Sequence, residues 1–175
     1  MGTLNLGTGA QFVGTTNGLS DAPTGTIIQT AINGTTSSIT ADSDGSYADL
    51  LSLSFTPRQS NSKIIFTIMF NAYFHNGSSG TSNGADYRLL RDSTSIKEAH
   101  WNMYLHYDQY ARDFYPTIST FGFDQPNTTS AITYKLQGRK YSGNSSNFAT
   151  VFGERQISGS AVGDTIVLKL EELSV

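Results

Sequence analysis

The chain has 175 residues, 14% of them charged, and a formal net charge of −3; it suits one domain, long enough to remove roughly 70% of its unfolded surface from water. The absence of Cys excludes disulfides, thiolate metal sites and thiol nucleophiles, and leaves the redox compartment undetermined. The charge balance argues against a nucleic-acid partner, and the lack of a basic start with an apolar core, or of about 18 consecutive apolar residues, argues against a signal peptide and a membrane span.

Residues 1–24, "MGTLNLGTGAQFVGTTNGLSDAPT", combine scattered Gly with isolated apolar residues and have no usable periodicity. Such a stretch cannot bury enough surface to order itself. It reads as a leader or as an extended N-terminal arm that orders on a partner. Leu4, Leu6, Phe12 and Val13 favour the arm, because a solvated tail needs none of them. Residues 1–57 hold four Asp and no Lys or Arg, so this acidic leading segment suits a basic neighbour.

From Gly25 the texture changes to alternation, and residues 25–175 read as one β-sandwich domain. "GTIIQTAI" opens it, and "DLLSLSFT" sets Leu51, Leu53 and Phe55 on one face against Leu50, Ser52 and Ser54 on the other. After a polar hinge, Pro57 to Ser62, "KIIFTIMFNAYFH" carries Ile64, Phe66, Ile68, Phe70, Ala72 and Phe74 on a wholly apolar face, as a central strand packed on a second sheet requires. "GSSGTSNG" is a connection. "ADYRLLRD" and "SIKEAHW" form a hairpin about Asp92-Ser93-Thr94. "PTISTFGF", "SAITYKLQGRKYS", "NFATVFG" and "DTIVLKLEEL" supply later strands, with "DQPNTTS" and "SGSAVGD" as links. Eight to ten short strands so spaced predict an all-β, jelly-roll-like antiparallel β-sandwich. One stretch departs from alternation: Trp101, Tyr104, Tyr107 and Tyr110 recur at intervals of three, which predicts a loop or a short helix with an aromatic stripe. These four read as core or subunit-interface aromatics, with glycan stacking as a second use.

The residues support no catalytic, cofactor or metal site. His100, His106 and Asp108 are the best metal candidates, but their separations exceed those of neighbouring ligands on one strand face, so ordinary exposed histidines explain them. "SGSAVGD" around Ser160 lacks the frame and the following helix of a nucleophile elbow, and no Gly-rich loop opens a helix. Asp42, Asp44, Asp92, Asp124 and Asp164 sit in turns, and Glu171 and Glu172 end a strand, where capping the backbone accounts for them. Asn33 and Asn76 match the glycosylation acceptor pattern but read as turn residues.

"PTGTIIQT", "SYADLLSLSFTPRQSNSKIIFTI", "RLLRDSTSI", "DQPNTTSAITYKLQ" and "TIVLKLEEL", in that order, resemble a small β-domain of virion proteins from tailed bacteriophages, many of them marine or cyanobacterial. The resemblance spans about Pro23 to Leu173 and departs at the Tyr-rich insert, Trp101 to Tyr115. It implies a non-enzymatic module, commonly a homotrimer, used in tail fibres or as a head decoration, with no catalytic residues to carry over. With only about 24 residues ahead of the β-domain, a shaft has little room. The expectation is therefore a capsid decoration (cement) protein on the virion surface, made in the host cytoplasm, whose partners are the major capsid protein or another virion protein and itself. A tail-fibre or receptor-binding module is the alternative.

Overall fold

The computed structural model describes residues 22–41, 46–76, 83–105, 112–140, 148–157 and 160–175. Among them the chain is strand and turn with no helix: a jelly-roll-like antiparallel β-sandwich. Strand β1 (Ile27–Thr35) is followed by β2 (Ile39–Thr40), β3 (Ala48–Phe55), β4 (Lys63–Asn76), β5 (Asn83–Arg91), β6 (Thr94–Leu105) and β7 (Arg112–Phe114). Then come β8 (Thr117–Asp124), β9 (Ile132–Lys140), β10 (Phe148–Phe152), β11 (Glu154–Ile157), β12 (Ser160–Gly163) and β13 (Ile166–Leu173). The thirteen strands among the described residues exceed the expected eight to ten because the short β2 and β7 also pair and because "SGSAVGD" is not a plain link: Ser160–Gly163 pairs with Glu154–Ile157 as a small hairpin of its own.

The first sheet is built on β4. Its first half pairs with β13 on one flank and β8 on the other, and its second half with β10 and β7. Pro116, which has no N–H to donate, separates β7 from β8 along the same flank. β1 lies outside β13, and β2 outside β10. The second sheet runs β3, β9, β5, β6. The expected face of β4 is the core: Ile64, Phe66, Ile68, Phe70, Ala72 and Phe74 are all buried. They meet Tyr87 and Leu89 of β5, Tyr134 and Leu136 of β9 and Phe55 of β3 in one cluster. Phe70 stands edge-on to both Tyr87 and Phe152, with ring centroids at 5.6 and 5.8 Å.

β3 corrects one expectation. Leu50 is buried together with Leu51, while Ser52 and Ser54 are exposed. The register against β9 slips between Asp49 and Leu51, so Leu50 is an extra, unpaired residue that the bulge turns inward. The hairpin between β5 and β6 has the expected turn, with Asp92 at φ 52 and its carboxylate accepting the Thr133 N–H at 2.9 Å.

Two glycines mark close packing. A Cβ on Gly138 would lie 2.5 Å from the Phe152 ring, and one on Gly122 2.4 Å from the Phe66 ring. Phe152 is fully buried and braced by Phe70, so it has no room to withdraw. Gly138→Ala is expected to cost about 2 kcal/mol of stability in urea denaturation. An unchanged midpoint would show that the ring moves freely.

The hinge has a specific fastening. The carboxylate of buried Glu172 accepts the N–H of Arg58 at 2.8 and 3.0 Å and that of Gln59 at 3.0 Å. The Ser62 hydroxyl closes the turn by donating to the Gln59 carbonyl at 2.9 Å. Glu171, the next residue, points to the other face and pairs with Lys169 at 2.7 Å instead of capping backbone. Two ties join the sheets: Asn33 donates to the Ser52 carbonyl at 2.8 Å, and Asp124 of β8 is held by Arg91 of β5 at 2.7 Å and by the hydroxyl of buried Tyr134 at 2.7 Å. Ahead of β1, Gly25 adopts φ 85 and donates to the Ser174 carbonyl at 2.9 Å, fixing the start of the described chain beside the end of β13.

Candidate interaction face

The two sheets turn very different outer faces to solvent. Among the described side chains, β3, β9 and β5 carry a polar network on the outer face of the second sheet. Lys135 pairs with Asp49 at 3.0 Å, Arg139 with Asp86 at 2.8 Å, and Arg88 donates to Gln137 at 2.8 Å. The guanidinium groups of Arg88 and Arg139 lie 3.8 and 4.5 Å from the centre of the Tyr47 ring. The hydrogen bond from Gln137, together with Lys135, holds the Asp49 carboxyl below the usual carboxylate range, and burial pushes the Tyr47 phenol up. These charges are already partnered with one another.

The outer face of the first sheet is apolar where it is most exposed. Register places Ile32, Lys169, Thr67 and Phe121 in one row across β1, β13, β4 and β8, with Thr30, Glu171, Ile65 and Phe123 in the next row on this face. Phe121 is 79% exposed, Phe123 67%, Ile32 65% and Met69 48%. The Lys63 ammonium sits 5.6 Å from the centre of the Phe123 ring. Strand alternation makes this outcome compulsory: Gly122 and Ile118 must face inward, Gly122 because only hydrogen fits beneath the Phe66 ring, so Phe121 and Phe123 must face out.

Further along the same side of β4 lies a second, more polar group. Tyr73 and Tyr115 stack with centroids 4.9 Å apart and planes 19° apart, and the Tyr73 hydroxyl donates to Asp113 at 3.1 Å. Burial, with the Asp113 hydrogen bond, pushes the Tyr73 phenol well above its ordinary value. Thr117 donates to the Asn71 side-chain carbonyl at 2.6 Å, Asn71 donates to Asp164, and Arg155 pairs with Asp164 at 3.3 Å. Burial raises the Glu154 carboxyl. Neutral phenols, an amide and carboxylates in this array can hydrogen-bond a polyhydroxylated ligand at its rim.

The residues singled out in the sequence fall elsewhere. Leu4, Leu6, Phe12 and Val13 lie outside the described residues, as do Tyr107, Tyr110, His106 and Asp108. Trp101 and Tyr104 belong to β6; Met103 to Leu105 pair with β5, while His100 and Trp101 lie where the register shifts between Ala99 and Met103. The expected loop or short helix is thus strand through Leu105, because hydrogen bonding to β5 outweighs a weak spacing signal. Among the described residues no three His, Cys, Asp or Glu groups come together in a way that could hold a metal ion. Phe121 and Phe123 are the exposed aromatics that sequence reasoning did not single out, because "PTISTFGF" carries apolar residues on both faces.

No family model matches the chain, and no curated protein matches it. Among solved structures it is similar to that of infectious bursal disease virus Gt strain, at 12% identity and a TM-score of 0.36. It is also similar to the T=1 particles derived from infectious bursal virus, at 15% and 0.38, and to the VP2 subviral particle of infectious bursal disease virus, at 13% and 0.34. Each match covers 85% of this chain, which spans 39%, 37% and 39% of those proteins respectively. Likeness of this degree assigns neither a family nor an activity.

Proposed function

We propose that this chain is a structural, non-enzymatic virion protein, and specifically a trimeric capsid decoration (cement) protein that binds the assembled shell. The observation that carries the reading is the inequality of the two outer faces. Among the described side chains, one carries ion pairs across β3, β9 and β5, while the other leaves Phe121, Phe123, Ile32 and Met69 open, as suits a protein whose work is contact with other chains. The resemblance to tailed-phage virion domains gives the setting. In this reading residues 1–24 lie extended across neighbouring subunits of the major capsid protein or another virion protein, with Leu4, Leu6, Phe12 and Val13 as apolar anchors. Fully extended, such an arm reaches roughly 80 Å, enough to cross a subunit boundary. The protein acts by mass action: it binds assembled shell and not free subunits, and so stabilises the shell against the pressure of packaged DNA. Arms from several copies add avidity. It needs no cofactor, nucleic acid or membrane, acts on the capsid surface and is made in the host cytoplasm.

Deleting residues 2–22 is expected to abolish decoration of expanded capsids in a co-sedimentation assay while leaving the β-domain folded. Unchanged occupancy by the truncated protein would refute the role of the arm. The stacked Tyr73 and Tyr115 beside Asp113 favour a second reading, a tail-fibre or receptor-binding module contacting host surface glycan. Binding of the purified protein to host lipopolysaccharide, with no affinity for heads, would select it.

A further inference from the structure

The first sheet ends, among the described residues, in an open edge at β8. Among the described residues β8 is hydrogen-bonded on one side only, to β4, in an unbroken register from Ile64 with Asp124 to Asn71 with Thr117. Soluble proteins blunt such edges with Lys, Pro or a bulge. "TISTFGFD" has none of these, and its one charge, Asp124, is turned inward to Arg91 and Tyr134. The side chains standing out from this strand are Thr117, Ser119, Phe121 and Phe123, all exposed. At about 200 Å2 per phenyl side chain, Phe121 and Phe123 leave on the order of 300 Å2 of apolar surface open, and Ile32 and Met69 raise the face to about 500 Å2. A standard interface buries about 800 Å2 per partner, some 60% of it apolar, so the face with its polar rim has the extent and composition of one complete contact.

Charge selects the occupant. The ion pair that the structure places on the face, Lys169 with Glu171, neutralises itself, and Lys63 is engaged with the Phe123 ring. Lys63 keeps its charge beside the Phe123 ring, but the rest of the face is neutral and apolar, so it favours another neutral, apolar face over a strongly acidic or basic partner. We propose that the β8 edge and its outward face, centred on Phe121 and Phe123, are the surface on which a second copy of this chain packs. The aromatic side chains of one copy lie against those of the next, and the open β8 edge is shielded from indiscriminate pairing. This deepens the proposed function, on whose self-association it rests, by naming where the copies meet.

The test is sedimentation of the full-length protein over a range of concentrations, free of any capsid. Wild type is expected to run above the 18.9 kDa of one chain. Phe121→Glu combined with Phe123→Glu is expected to run as one chain, with association weakened on the order of 100-fold and the strand circular dichroism unchanged. Ser119→Lys, an exposed change on the same strand, should weaken association in the same direction and decides the matter should the double variant not fold. A wild-type protein that stays at the mass of one chain overturns the proposal. So does assembly that survives the Ser119 and Phe changes. Loss of shell binding by these variants, with wild type a single chain, would make the capsid the occupant, refuting this inference while leaving decoration standing.

Discussion

Phe70→Ala is expected to lower the free energy of unfolding by about 4 kcal/mol, the largest single loss from any one side chain discussed above. Phe70 is 1% exposed on the middle of β4. Its ring meets Tyr87 of the second sheet and Phe152 of the first edge-on, so truncation opens a cavity where the two layers interlock. Neither neighbour can fill it, because Tyr87 and Phe152 are themselves fully packed. In a domain of this size the melting temperature should fall by about 12 °C. Phe121→Ala serves as the control: with the same chemistry at a 79% exposed site, it should change monomer stability by less than about 0.5 kcal/mol. If the two substitutions cost the same, the assignment of inner and outer faces is wrong.

Glu172→Ala should cost about 3 kcal/mol, read as a lower urea midpoint with an unchanged slope. The carboxylate is buried and satisfies the N–H groups of Arg58 and Gln59, which lie in a hinge with no ladder partner. Removing it leaves two donors without their acceptor and frees the connection between β3 and β4. Glu172→Gln keeps one acceptor oxygen and should lose roughly half as much. Glu171→Ala, one residue earlier, removes only a partly exposed pair with Lys169 and should cost less than about 1 kcal/mol. An Ala variant at position 172 as stable as wild type would mean that the hinge holds its shape without the carboxylate.

The contrast between Glu171 and Glu172 illustrates what a sequence can and cannot convey. Both stand at a strand end, and capping was the common expectation for them. Only Glu172 caps, because antiparallel pairing of β13 with β4 turns it to the same side as Ile64 and brings the hinge over it. Asp164 does act on local backbone, accepting from Thr165 as a turn residue should, whereas the Asp92 carboxylate reaches across to the Thr133 N–H of β9 and Asp124 joins the two sheets through Arg91 and Tyr134. Phe121 and Phe123 were not legible as exposed, because β8 carries apolar residues on both of its faces and period-two reasoning cannot rank them.

The sequence by itself determined the β class, the buried stripe of β4 from Ile64 to Phe74, the hairpin at Asp92 and the place of the Pro57 hinge. All of these are local: side chains alternate along one extended strand, and turn residues set φ within a few positions. The tertiary structure alone decided that Leu50 turns inward at a bulge, that Ser160–Gly163 is a strand, that Trp101 to Leu105 extends β6, and that Phe121 and Phe123 face solvent. Each of these depends on which distant strand supplies the hydrogen bonds or the ring overhead. That choice is made by the packing of the whole sandwich rather than by any window of neighbouring residues.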